Sequence, residues 1–471
     1  MRRSDINCLV MLPIMLLSLL GCVQDGTGDV AQSAQSAAPA AEASEAPQSP
    51  KGITIHAPAA ETATAVPVVG DVVAVESGLN LASMFDPKSI PPTAAPDVLG
   101  AFRFICGPGQ IAYDDPIVYP GQPGKSHLHQ FFGNLGANAH STFISLRTSG
   151  ESTCTNELNR SAYWMPAMLD GKGNVVRPNY VGIYYKRRPK SDPFCTTAAE
   201  ECVGIPRGLR FIFGFDVNKP DDPQPQNASL FNFKCVEGWS PVTSAQGNLD
   251  GLNCQPGQWL SATISTPTCW DGVHLDSADH RSHLAFMKRD ASTGWESKCP
   301  STHPKIIPQF TMSVSYSVVQ GDNFALWYLA SDHMVPGIAR GGTFHSDYFE
   351  GWEEEIRLRW EAGCLDQLLN CSDGDLGDGQ IMKRNSHYPN TAINATVSQR
   401  LVPVPSNRST STSSTSSGGT TTTSGDSSTG GSGGSSGGNN ASTGSSGGGA
   451  PAAPGAPGAP GPQALVIRRS S

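Results

Sequence analysis

Phe310-Thr311-Met312-Ser313-Val314-Ser315-Tyr316-Ser317-Val318 sets five apolar side chains against four hydroxyls in strict alternation. Successive side chains of a strand point to opposite faces, so this stretch reads as a β-strand with one buried face and one wet face. Shorter runs at Val181 to Lys186, Gly208 to Val217, Trp259 to Ile264 and Phe324 to Leu329 read as further strands, separated by Pro- and Gly-rich turns. The pattern predicts a mainly β fold, a β-sandwich or jelly-roll-like single domain with long loops. One amphipathic helix is expected towards its end. Phe349, Trp352, Ile356 and Trp360 fall on a single helical face, Asp347 with Glu350 reads as a capping pair, and Gly363 reads as the stop.

Outward from this core the composition changes. Aromatic and cysteine density rises at Phe102-Arg103-Phe104-Ile105-Cys106 and fades after Cys371, which places the folded domain at 96–373. Residues 22–95, rich in Ala, Pro, Ser and Val, read as a disordered tether. Residues 374–408 form a poorly defined extension, and 409–471, almost all Ser, Thr, Gly, Asn, Pro and Ala, read as a disordered tail. At the other end, Met1-Arg2-Arg3 and the apolar run Cys8 to Leu20 form an export signal over 1–21, too short to span a bilayer as a mature helix. Leu19-Leu20-Gly21-Cys22 resembles a bacterial lipobox, with lipid placed on Cys22. The expectation is an exported lipoprotein of the outer membrane or cell surface.

The chain has 12 cysteines, and setting aside Cys8 and Cys22 leaves an even number in an exported protein. Up to five disulfides follow. The expected pairs are Cys195–Cys202, Cys235–Cys254, Cys269–Cys299 and Cys364–Cys371, with Cys106–Cys154 closing the histidine-bearing segment. A net charge of -9 and the absence of any basic stripe argue against nucleic acid as a partner.

The chemistry centres on Ser126-His127-Leu128-His129. On an extended backbone the two imidazoles project from one face and can chelate one ion. Further ligands are sought in Asp279-His280-Arg281-Ser282-His283 and in Phe344-His345-Ser346-Asp347. Neutral imidazole and carboxylate suit one divalent transition metal ion, and His127, His129 and His283 are taken as its ligands. Without a metal, the same His127, His129, Asp279, His283, His345 and Asp347 supply acid–base groups. Each also has a plain structural role open to it: a loop histidine, a turn aspartate, a helix cap. Trp164 and Trp270 offer flat faces for sugar stacking, with Asp115 as a polar partner; the alternative is that the tryptophans are core.

Five motifs occur in order. They are Asp115-Pro116-Ile117-Val118 through Gly133-Asn134, Tyr163-Trp164-Met165-Pro166, Cys269-Trp270-Asp271-Gly272 through His283, Cys299-Pro300 with His303-Pro304, and His345 to Trp352. Together they resemble the secreted family catalogued as domain of unknown function nineteen-ninety-six, over about residues 98–371. That family is known mainly from fungi, where it often accompanies a cell-wall-binding WSC domain. The resemblance implies a surface role on extracellular polysaccharide or cell-wall glycan, and brings no agreed catalytic set. Two functions remain in view: an enzyme cleaving such a polysaccharide by hydrolysis or elimination, and a non-catalytic glycan-binding or envelope-interaction module.

Overall fold

A computed structural model of the chain describes residues 66–197, 200–221, 231–289, 297–389 and 399–406. The export signal, Cys22 and the tail from 409 onward lie outside the described residues. The fold is mainly β. The alternating stretch forms the strand Gln309–Ser317, paired with Trp259–Ser265 on one side and Tyr180–Arg187 on the other. It thereby sits inside an eight-stranded sheet running Ser240–Gln246, Phe231–Glu237, Trp259–Ser265, Gln309–Ser317, Tyr180–Arg187, Gly100–Cys106, Leu369–Cys371 and Thr93–Ala94. A five-stranded sheet runs Arg210–Gly214, His345–Phe349, Ala162–Pro166, His129–Gly133 and Pro108–Ala112.

The two sheets pack face to face. Phe310 of the large sheet lies 5.0 Å from Tyr348 and 6.0 Å from Tyr163 of the small one, ring centre to ring centre. Around them Phe102, Ile183, Leu260, Met312 and Val314 meet Phe132, Met165, Phe211 and Phe213 in one continuous core. The hydroxyls of Thr311 and Ser313 on the far face pair with Ser265 and Thr263, at 2.9 and 2.7 Å. All five expected disulfides are present, Cys106–Cys154 among them. So many cystines fit a chain that matures in an extracellular or otherwise oxidising compartment. No described helix is long and apolar enough to cross a membrane.

The structure differs from the sequence reading in four places. The helix runs Glu354–Trp360 and continues as a wider turn through Leu365, so Phe349 and Asp347 belong to a strand and the capping pair does not exist. Strand pairing of 345–349 on both edges overrides the helical spacing there. Gly363 lies inside the wide turn instead of ending the helix. Phe324–Leu326 is a 3₁₀ turn, followed by the two-residue strand Tyr328–Leu329. Ordered pairing also extends beyond 96–373: Phe85–Pro87 pairs with Gln380–Met382, and Leu401–Pro403 with Asn174–Val176.

Candidate metal centre

The parity of the small sheet places the histidines on its outer face. Phe132, Tyr163 and Tyr348 turn inward to the sandwich core. Their strand neighbours Phe131, Trp164, Ile212 and Phe349 turn outward, where Ile117, Phe143 and Leu146 cover them, joined by Val72 and Val75 of the N-terminal segment. Ile212, Asp347, Trp164 and Phe131 form one row across four strands. His345 lies two residues before Asp347, and His129 two before Phe131, so both project from this outer face, one row along. Gly214 is the cross-strand partner of His345, and Pro166 that of His129.

The two imidazoles meet a third from His127, which enters just ahead of the His129–Gly133 strand. Ring centres are 4.1 Å apart for His127 and His129, 5.1 Å for His127 and His345, and 6.4 Å for His129 and His345. One nitrogen of each lies within 4.8 Å of the others, close enough for one ion to bridge them. His129 and His345 are buried, and His127 is half-buried.

Backbone carbonyls set two of the rings. His129 donates through Nδ1 to the Asp114 carbonyl at 2.9 Å, and His345 through Nδ1 to the Thr343 carbonyl at 2.7 Å. A carbonyl only accepts, so in both rings Nε2 keeps the lone pair, the tautomer that a metal requires. Nε2 of His129 is buried with no hydrogen-bond partner. The supporting carbonyls are themselves fixed. The Asp114 carboxylate accepts from Gly124 and Ala139 amides, and Asp332 accepts from the Thr343 hydroxyl at 2.6 Å.

Electrostatics favour neutral rings. Burial pulls His129 below the ordinary histidine range, against the opposing pull of Asp115. Burial, helped by His129, takes His345 down to about 3. Asp347 is buried with neither carboxylate oxygen hydrogen-bonded. Burial and then Asp115 push it well above the usual carboxylate range, with Arg281 opposing. Asp115 is raised too, by burial, while His129 and the amides of Val118 and Ile117 pull the other way. A cation at the histidines would relieve both carboxyl groups.

The other residues singled out in the sequence stand elsewhere. His283, expected as the third ligand, lies against the Ser277 Oγ at 2.8 Å through Nδ1 and against the Arg210 carbonyl at 3.1 Å through Nε2. With both nitrogens engaged it does not face the pair; His345 takes that place. Asp279 closes its own turn, accepting from Ser277 Oγ and from the amides of Arg281 and Ser282, which hold it below the usual range against a burial effect of opposite sign. Trp164 is fully buried and stacks on Phe131 at 5.3 Å. Trp270 is 7% exposed and donates Nε1 to the His274 carbonyl. Neither presents an open face to a sugar. Asp115 is buried beside His129 instead of lining an open cleft.

Asp114 is among the aspartates that the sequence offers to orient the imidazoles, and it does so through its backbone carbonyl instead of its carboxylate. Thr343, Asp332 and Arg281 are supporting residues that sequence reasoning does not assign; the first two act through a backbone carbonyl or turn geometry, which leave no residue-type signature. Arg281 had a usable signal, a lone guanidinium in the His-rich loop; it donates to the carbonyls of Gly214 and Phe215, beside the cross-strand partner of His345. No curated protein and no solved structure matches the chain. With a match over residues 115–352 that takes in all three clustered histidines, the chain belongs to the family described as domain of unknown function (DUF1996).

Proposed function

We propose that the protein is an exported, lipid-anchored surface enzyme that cleaves extracellular or cell-wall polysaccharide at a mononuclear metal centre held by His127, His129 and His345. The observation that carries the metal is the convergence of three imidazole nitrogens within 4.8 Å. It is supported by two rings whose tautomers are fixed for ligation. Three neutral imidazoles are the donor set of open zinc, copper or iron sites, where the ion polarises a bound oxygen and leaves a position for substrate. His127, the half-buried ligand, marks the side from which a substrate group would arrive. The polysaccharide assignment rests on the exported, disulfide-stapled setting and on the Cys22 lipobox. A simple glycan-binding module is less favoured. It wants a row of exposed aromatics, and Trp239 alone is exposed among the described aromatic residues.

The test is to load the full chain with zinc, copper, iron or manganese in turn and incubate it with chitin, β-glucan, mannan and pectin. Soluble oligosaccharides are then read by mass spectrometry beside His127→Ala/His129→Ala. Products from the wild type that vanish in the double variant support the reading. Equal product profiles for the two proteins contradict it.

A further inference from the structure

The carboxylate of Asp347 is the polar group that the three-histidine centre leaves unexplained. It is 1% exposed, and neither oxygen has a hydrogen-bond partner. A buried carboxylate without donors is costly, and native interiors avoid it unless something is bound there. Its cross-strand neighbours do not satisfy it. Ile212 has no side-chain donor, and the Nε1–H of Trp164 is itself buried without a partner. Arg281 spends two of its donors on the carbonyls of Gly214 and Phe215. Asp347 shares a strand face with His345 two residues away, yet stands outside the set of donors that lie within 4.8 Å of one another. It therefore projects from the face that carries the centre, two residues along the strand from His345, and is not one of the clustered donors.

We infer that Asp347 is the outer-sphere carboxylate of the centre, accepting a hydrogen bond from the ion's non-protein ligand and disfavouring anions at that position. The inference rests on the metal-centre reading above and deepens it. A position walled by a carboxylate takes water or a neutral sugar hydroxyl in preference to a carboxylate- or phosphate-bearing group. The substrate class is accordingly a neutral glycan, not a polyuronate.

Cobalt(II) is the probe, used with the full chain. Affinity is read by competition with a chelator, coordination by the visible absorption band, and anion preference by azide titration. Asp347→Asn keeps the shape of the side chain; Asp347→Ser is a second variant should the first fail to fold. Each is expected to keep the wild-type band. Each should also bind cobalt roughly 10- to 100-fold more weakly, as loss of an outer-sphere partner does. Azide is expected to bind about tenfold more tightly once the neighbouring charge is gone. Unchanged cobalt and azide affinities would overturn the inference, and so would a shifted band, which would make Asp347 a direct ligand. A wild type that takes up no cobalt would overturn the metal centre itself, a result distinct from either.

Discussion

Removing the Cys106–Cys154 disulfide is expected to cost more stability than removing any short-loop bridge. The bond spans 48 residues, a loop holding the Pro108–Ala112 and His129–Gly133 strands, the helix Phe143–Thr148 and the first two histidines. Closing such a loop in the unfolded chain removes conformational entropy worth about 4 kcal/mol. The Cys195–Cys202 bridge spans only 7 residues, and the same relation gives about 2 kcal/mol. The cysteines of both bridges are buried, so replacing either pair by alanine adds a packing loss of roughly 1 kcal/mol. Cys106→Ala/Cys154→Ala should therefore lose about 5 kcal/mol and Cys195→Ala/Cys202→Ala about 3 kcal/mol. Equilibrium unfolding in guanidinium, followed by tryptophan fluorescence on oxidised protein, measures both. Equal losses from the two pairs would refute the loop argument, since loop length is the main difference it invokes.

Acid should destabilise the metal-free protein partly through its buried histidines. In the unfolded chain they take up protons near pH 6.5, whereas burial holds His345 down to about 3 and His283 to about 4. This contribution is undiminished above pH 6.5 and is lost as pH falls towards those values, at about 1.4 kcal/mol per pH unit for each ring. Asp115 and Asp347, raised by burial, pull the opposite way. The difference between wild type and His345→Gln isolates one ring, and a difference independent of pH would count against its burial as a neutral imidazole. Gly214→Ala should weaken metal uptake more than it should weaken the sandwich, as read by metal affinity beside thermal melting. At φ +93° an added Cβ would meet Ile264 Cδ1 at 2.5 Å, the far end of a side chain that can turn away, and the Phe344 carbonyl at 2.7 Å and the His345 Cα at 2.8 Å, backbone that can yield only by pushing a ligand strand. Wild-type affinity in that variant would mean that His345 is not set by this contact. Tyr163→Phe takes the nearer partner from the Tyr185 hydroxyl, 2.9 Å away, and from the Asn159 amide at 3.2 Å, leaving them the longer contacts to Trp352 Nε1 at 3.5 Å and Cys154 Sγ at 3.6 Å, all buried. A loss of about 1–3 kcal/mol in chemical unfolding is expected, and a neutral substitution would contradict the buried hydrogen-bonded chain.

Period-two alternation survived into the structure because the 309–317 strand is central, with one face on the core and the other on a hydroxyl ladder. The helical spacing starts too early in the sequence because Phe349, an outward residue of a strand, falls in phase with Trp352, Ile356 and Trp360. Local information does not separate the two until the pairing partners are known. Likewise, His127 and His129 were legible as a pair because two residues on extended backbone share a face. That His345 and not His283 joins them depends on sheet order, which brings together positions more than 200 residues apart. The tryptophans show the same limit. A Gly turn beside Trp270 suggests exposure, but its indole closes onto the His274 carbonyl within the core.

The most direct measurement is elemental analysis of the full chain after passage through metal-free buffer, alongside His345→Ala and His283→Ala. About one equivalent of a transition metal is expected in the wild type, with retention in His283→Ala and loss in His345→Ala. A metal-free wild type after incubation with each candidate ion, or loss in His283→Ala with retention in His345→Ala, would contradict the three-histidine centre.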